Sequence, residues 1–230
     1  MPSGVTECKA LADIFIVVEA TARIDSGAHD ALTSMIVNLI QNVTMEVDLS
    51  TASNASSWSP RVGVISYNTA ATVVSELTAD KAALLEAVNN RPAPTLQSCT
   101  SCGLDMALDQ LQAHNRSEAV ARVFLMVGSM QAVMGSDPQA LLSAAALKTA
   151  GVTVSVLQFT PDGGAGVLSD SDAESMASTP LSVFRAGSST TTIEAVGSAS
   201  LLVQLLRSSC TQVNYVCTSS SSLLCEQPAD

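Results

Sequence analysis

Aromatic residues are scarce in this chain: one Trp, two Tyr and four Phe among 230 residues. The interior must therefore be built from Val, Leu, Ile, Ala and Met, a composition that suits buried parallel strands covered by helices. Basic charge is also short. Ten Lys and Arg face 21 Asp and Glu, for a formal net charge of −11. That balance argues against nucleic acid or an anionic lipid surface as partner, since both need a basic face to displace counterions. The plainest role for the acidic excess is to keep a neutral, Ser/Thr-rich surface in solution. No apolar run approaches the roughly 18 residues that span a bilayer, and the opening MPSGVTECKA has no apolar signal core. The expectation is a soluble chain without membrane insertion, its secretion signal removed or left out.

Catalytic motifs are missing too. No serine stands in a G-x-S-x-G elbow, and no phosphate-cradling glycine loop follows a strand; Gly163, Gly164 and Gly166 sit in PDGGAG, which reads as a flexible turn. His29 and His114 are lone histidines in polar surroundings, expected at solvated helix ends. Asp105 and Asp109 lie four apart on one helix face without metal-ligating companions, which reads as a solvated stripe. The residues assemble no catalytic set, and the reading is a chain that is not an enzyme and needs no cofactor.

What is present begins with six cysteines, at positions 8, 99, 102, 210, 217 and 225. Two lie at the extreme ends of the apparent domain and three cluster in the last stretch, which suggests stapling in an oxidising compartment. Six cysteines allow 15 pairings, of which we expect Cys8 with Cys210, Cys99 with Cys102, and Cys217 with Cys225. The C-T-S-C run at 99–102 opens a helix, where thiol-disulfide enzymes carry their reactive pair. Here, however, the approach is the loop RPAPTLQS rather than a strand, and no second pair has zinc-ligand spacing. A structural disulfide is the favoured reading and a redox pair the alternative. Sequons at Asn42, Asn54 and Asn115 are candidates for N-glycosylation.

At this length one domain with short extensions is the simplest division: an N-terminal extension over 1–10, a domain over 11–207 and a Cys/Ser-rich tail over 208–230. ADIFIVV at 12–18 reads as a buried central strand, and apolar residues at helical spacing predict a helix over 30–41. Residues 48–60 are turn-rich and read as a long surface loop. RVGVISY and ATVVSEL, with Asn68 and Thr69 in the turn between them, predict a hairpin at an antiparallel edge. Helical pattern runs over 80–88 and again after Gly103, followed by a strand at 121–127, a helix near 138–150 and a strand at 152–159. A short helix near 170–177, a strand LSVF after Pro180 and a last helix over 192–207 complete the pattern. Alternation with crossovers of this length predicts an α/β, doubly wound, mostly parallel sheet with one antiparallel edge strand and helices on both faces. Ligands of such folds gather beyond the carboxyl ends of the strands.

Several phrases, in this order, resemble the von Willebrand factor A family, a Rossmann-like fold, over about 12–207. The run DIFIVV followed by Glu19, Ala20, Thr21, Ala22 and Arg23 stands where the family has a strand ending in Asp-x-Ser-x-Ser. RVGVISYNTAA is similar to its hairpin, and Thr100-Ser101-Cys102-Gly103 to its T-x-T-G loop. ARVFLMVGS resembles the strand that normally ends in Thr-Asp-Gly, and LKTAGVTVSVLQF a further family phrase. The resemblance implies a metal-ion-dependent adhesion site at the sheet apex, filled by Mg²⁺ or Mn²⁺ and completed by a ligand carboxylate. Carried over, its positions are Glu19, Thr21, Arg23, Thr100 and Gly128, so two oxygen ligands are gone. Arg23 brings a cation to the cavity, where about 4 kcal/mol opposes each further unit charge at 4 Å and an effective dielectric near 20. Arg23 either pairs with Glu19 as an internal surrogate or points to solvent, and in both cases the expected apex is a degenerate site without metal.

The function expected first is a non-catalytic, secreted adhesion or assembly module. It would work through metal-independent protein-protein contacts or self-association, as a matrix or filament subunit. A metal-dependent receptor-like domain is one alternative, and a thiol-disulfide oxidoreductase using Cys99 and Cys102 is the other. If the chain assembles, its apex and the edge strand ATVVSEL are the expected contacts.

Overall fold

A computed structural model describes residues 12–21, 26–42, 60–91, 94, 97–117, 119–128, 137–159 and 168–186. The expected long loop before Pro60, apart from Pro60 itself, the helix over 192–207 and the Cys/Ser-rich tail lie outside these residues, as do Arg23, Asn54, Cys8, Cys210, Cys217 and Cys225.

The first strand, β1 (Ala12–Glu19), is buried along its whole length. Helix α1 (Ser26–Asn42) follows, then the hairpin β2 (Arg61–Tyr67) and β3 (Ala71–Thr78) and helix α2 (Lys81–Asn89). Next come α3 (Thr100–His114), β4 (Val120–Val127), α4 (Pro138–Thr149), β5 (Thr153–Phe159), α5 (Asp170–Met176) and β6 (Val183–Ala186). The strands form one sheet in the order β3-β2-β1-β4-β5-β6. All neighbours are parallel except β2 and β3, which makes β3 the antiparallel edge. This is the doubly wound arrangement that the alternation predicts.

Strand periodicity splits the core into two layers. Ile14, Ile16 and Val18 face α1 and α2 with Val62, Val64, Phe124 and Met126. Phe15 and Val17 face the other way, with Ile65, Tyr67, Val123 and Leu125 under α3, α4 and α5. Successive side chains of a strand point to opposite faces, so a strand covered on both faces must be apolar throughout. That is why β1 carries no polar alternation beyond its two ends.

Several boundaries differ from the sequence reading. Helix α1 begins at Ser26 rather than at residue 30, so His29 lies within its first turns. The hairpin turn takes three residues, Asn68, Thr69 and Ala70, with the Asn68 side chain accepting the Ala70 N–H at 3.3 Å. Helix α3 starts at Thr100 and runs through Gly103. A β-carbon at Gly103 would stand 2.9 Å from both the Tyr67 ring and Val17, so this glycine lets α3 lie close on the sheet, and packing outweighs its poor helix propensity. Finally, Pro180–Ser182 form a 3-10 turn and β6 begins only at Val183.

Helix starts follow local chemistry. Asp80 caps α2 by accepting the Ala82 and Ala83 N–H groups, Ser169 caps α5, and Asp137 caps α4 with Pro138 in its first turn. After α4, Gly151 takes φ +80°, the left-handed conformation that stops a helix at low cost only in glycine.

At the base of the sheet one carboxylate gathers three segments. Asp13, fully buried, receives Arg61 Nε at 2.9 Å and Nη2 at 2.7 Å. It also accepts the Arg116 backbone N–H at 2.8 Å and Arg116 Nη2 at 2.8 Å. Burial pushes the Asp13 carboxyl up, but the bonds from Arg61 and Arg116 outweigh it and hold the group below its ordinary range. The sequence reading took Asp13 only as part of an apolar strand.

Candidate functional site at the sheet apex

The chain leaves β1 toward one side of the sheet and returns by β4 on the other, so the order reverses between these two strands. Their carboxyl ends, Glu19 and Val127, therefore mark the crevice where ligands of this fold gather.

Glu19 is fully buried there. Its Oε1 accepts the Thr21 hydroxyl at 2.9 Å, and its Oε2 accepts the Gly128 N–H at 2.8 Å. The extra methylene relative to aspartate lets the carboxylate reach from the end of β1 to the backbone just beyond β4. Thr21 is fully buried, and its carbonyl accepts the Nε2–H of His29 at 2.8 Å. His29 is thus half-buried and bonded to Thr21, not the solvated residue expected from its polar surroundings. His114 ends α3 with its side chain exposed, and its carbonyl accepts Arg61 Nη2 at 2.8 Å.

Gly128 has its own neighbour. A β-carbon built on it would stand 2.2 Å from Cε2 of Phe159, a fully buried ring at the end of β5. No real β-carbon tolerates that approach, so an aspartate, which the resemblance expects at this place, has no room unless the ring moves.

Thr100 opens α3 fully buried, its hydroxyl beside the Tyr67 phenol but making no well-formed hydrogen bond. Tyr67 donates to the Met126 carbonyl at 3.3 Å. Burial pushes its phenol well above the ordinary value, and the Glu19 charge adds to the shift, so Tyr67 stays a neutral donor. Asp137 bridges two helix N-termini: Oδ2 accepts the Ser101 N–H at 3.1 Å and Oδ1 the Ala140 N–H at 3.2 Å. Anionic groups favour helix N-termini because free N–H groups and the positive dipole end converge there.

Cys99 and Cys102 are joined by a disulfide, with 5.3 Å between their Cα atoms. It closes the first turn of α3, and the Cys99 N–H donates to the Asn68 carbonyl at 2.6 Å, tying this turn to the hairpin. Asp105 and Asp109 are both exposed along α3. Asn115 is exposed at the end of α3, on the pole opposite the apex, while Asn42 ends α1.

Of the residues expected at the apex, Glu19, Thr21 and Gly128 are bonded to one another, and Thr100 flanks them through Tyr67. Tyr67, Asp137 and His29 were not expected there. The Asp-Pro pair at 137–138 was the available signal for Asp137, since it marks a helix start.

Among the described residues, the arrangement does not assemble a family-type divalent site. Mg²⁺ asks for about six oxygens at roughly 2.1 Å in octahedral array. Glu19 and Thr21 are engaged with each other and with the Gly128 N–H, Asp137 is turned to two helix ends, and Gly128 supplies no side-chain oxygen. Among the described residues no group of three or more His, Cys, Asp or Glu comes together.

Comparison with known proteins follows the same architecture. A structure of proximal thread matrix protein 1 from the mussel byssus, described with a zinc-occupied MIDAS motif, superposes with TM-score 0.68 at 20% identity. The match covers 88% of this chain and 47% of that one, so this chain spans about half the length of the mussel protein. The pilus adhesin SpaC from Lactobacillus rhamnosus GG, in its open conformation, matches with TM-score 0.64 at 13% identity, over 87% of this chain and 30% of that one. The vWF domain of the pili tip protein Mfa5 from Porphyromonas gingivalis gives TM-score 0.64 at 10% identity, over 88% and 97% of the two chains. Curated protein sequences give no match. The von Willebrand factor type A domain family matches residues 13–197, the span that holds the sheet and both ends of its apex, and the chain belongs to that family.

Proposed function

We propose that this chain is a non-catalytic, extracellular adhesion or structural-assembly module that works through metal-independent protein-protein contacts, as a subunit of a matrix or filament. The observation that carries this reading is the Glu19 carboxylate, which accepts the Thr21 hydroxyl and the Gly128 N–H where a cation would otherwise be held. A matrix protein of the mussel byssus and two bacterial pilus proteins share the fold, which supports a role in assembly or adhesion. Protein surface at the apex and along β3 would carry the contacts, the latter because an edge strand has backbone groups to pair.

One observation favours a second reading. The mussel protein is described with zinc in the corresponding motif, so a cation-dependent receptor-like domain is the competing function. Size-exclusion chromatography with light scattering, run over a concentration series with Mg²⁺ and with EDTA, separates the two. Assembly that ignores the chelator is expected. A monomer that associates only when Mg²⁺ or Zn²⁺ is supplied would overturn the proposal.

A further inference from the structure

We propose that Phe159 is the residue that sets metal exclusion at this apex: its ring and the Glu19 carboxylate form a plug in the place where a family member has an aspartate and a cation. This inference rests on the metal-independent reading above and deepens it by naming the determinant.

Three observations meet here. The Phe159 ring, fully buried, stands 2.2, 2.6 and 2.8 Å through Cε2, Cζ and Cδ2 from where a β-carbon at 128 would lie. Glu19 Oε2 holds the Gly128 N–H at 2.8 Å, which draws the backbone after β4 toward β1. The Thr100 hydroxyl is buried beside the Tyr67 phenol without a well-formed hydrogen bond, one oxygen of the set that the resemblance implies. Side chain and glycine are therefore one coupled feature. With the ring present, position 128 stays a glycine; with a glycine at 128, the third acid is absent and Glu19 turns to the amide. The ends of β1, β4 and β5 are thereby tied by a carboxylate and a ring, where a metal would tie the loops of a relative.

A double-mutant cycle with a metal titration tests this. Gly128→Ala is made in the wild-type background and in Phe159→Leu, and urea midpoints are measured in EDTA. The expected result is a large drop for Gly128→Ala beside the ring and a much smaller one beside the leucine. Additive effects, as for independent sites, would overturn the proposal. In parallel, Mn²⁺ alone is titrated by calorimetry into Gly128→Asp and Gly128→Asp/Phe159→Ala. The double variant is expected to bind at least tenfold tighter than either wild type or the single variant. Gly128→Asp binding Mn²⁺ as well as the double variant does, or a folded double variant with no gain over wild type, would sink the idea. Should the double variant not fold, the leucine cycle still decides. Failure of the functional reading looks different: there, wild type itself assembles only with a cation, whatever the cycle returns.

Discussion

Oε2 of Glu19 accepts the Gly128 N–H at 2.8 Å, so the last residue of β1 and the first residue after β4 share one hydrogen bond across the switch in strand order. Glu19→Gln offers a single acceptor where two donors converge, and leaves one buried donor facing an amide N–H₂. We expect a loss of about 1–3 kcal/mol, the usual cost of an unsatisfied buried polar group, read from urea denaturation. A change within 0.5 kcal/mol, the order of ordinary surface substitutions, would show that the bond carries no stability.

Asp13→Asn breaks the clasp at the opposite pole. Removing one partner of a buried pair costs about 3–5 kcal/mol, but the Arg61 and Arg116 side chains are 25% and 26% exposed and can turn to water, so roughly half of that is expected. The pH dependence has a definite sign. The Asp13 carboxyl is held below its ordinary value, so its contribution is complete above the unfolded-state pKa near 3.9 and is lost as pH falls through the lower folded value. Denaturation curves at neutral and strongly acid pH should show the wild-type advantage over Asp13→Asn shrinking on acidification; an advantage that grows would refute the assignment.

Much of this architecture can be read directly from residue order, because both-face burial makes β1, β4 and β5 near-continuous apolar runs that no surface helix would carry. Legibility ends where tertiary contact overrides local rules. Gly103 looks like a helix boundary until its fit against Tyr67 and Val17 is seen, and Gly128 looks like a simple deletion until Phe159 is found beside it. Glu19, Thr21, Thr100 and Gly128 came from family phrases. Asp137 and His29 did not, since nothing local says that a helix-capping carboxylate also caps a second helix, or that a helical histidine reaches back eight residues to Thr21.

The disulfide between Cys99 and Cys102 closes a loop of four residues, and chain entropy for so short a loop gives about 2 kcal/mol. Cys99→Ser/Cys102→Ser is expected to lower the thermal midpoint by several degrees, and Cys99 and Cys102 of the wild type should resist iodoacetamide until reduced. Alkylation of both sulfurs without a reductant would show that the pair is not bonded in solution.

Gly151→Ala separates backbone strain from contact. Nothing lies within 4 Å of a β-carbon at that position, and its φ is +80°. A loss of about 1 kcal/mol is expected from the left-handed conformation alone; equal stability by calorimetric melting would place the C-terminal stop of α4 elsewhere.

Strand β1 gains its second neighbour late. Ala12–Glu19 lies between β2 and β4, and its partner on one side, Val120–Val127, follows more than a hundred residues later. At synthesis rates of about 5–20 residues per second, the emerging chain keeps one border of Ile14, Ile16 and Val18 unpaired for several seconds. A chain arrested before Val127 would leave one border of a strand that is apolar between Asp13 and Glu19 open to its neighbours.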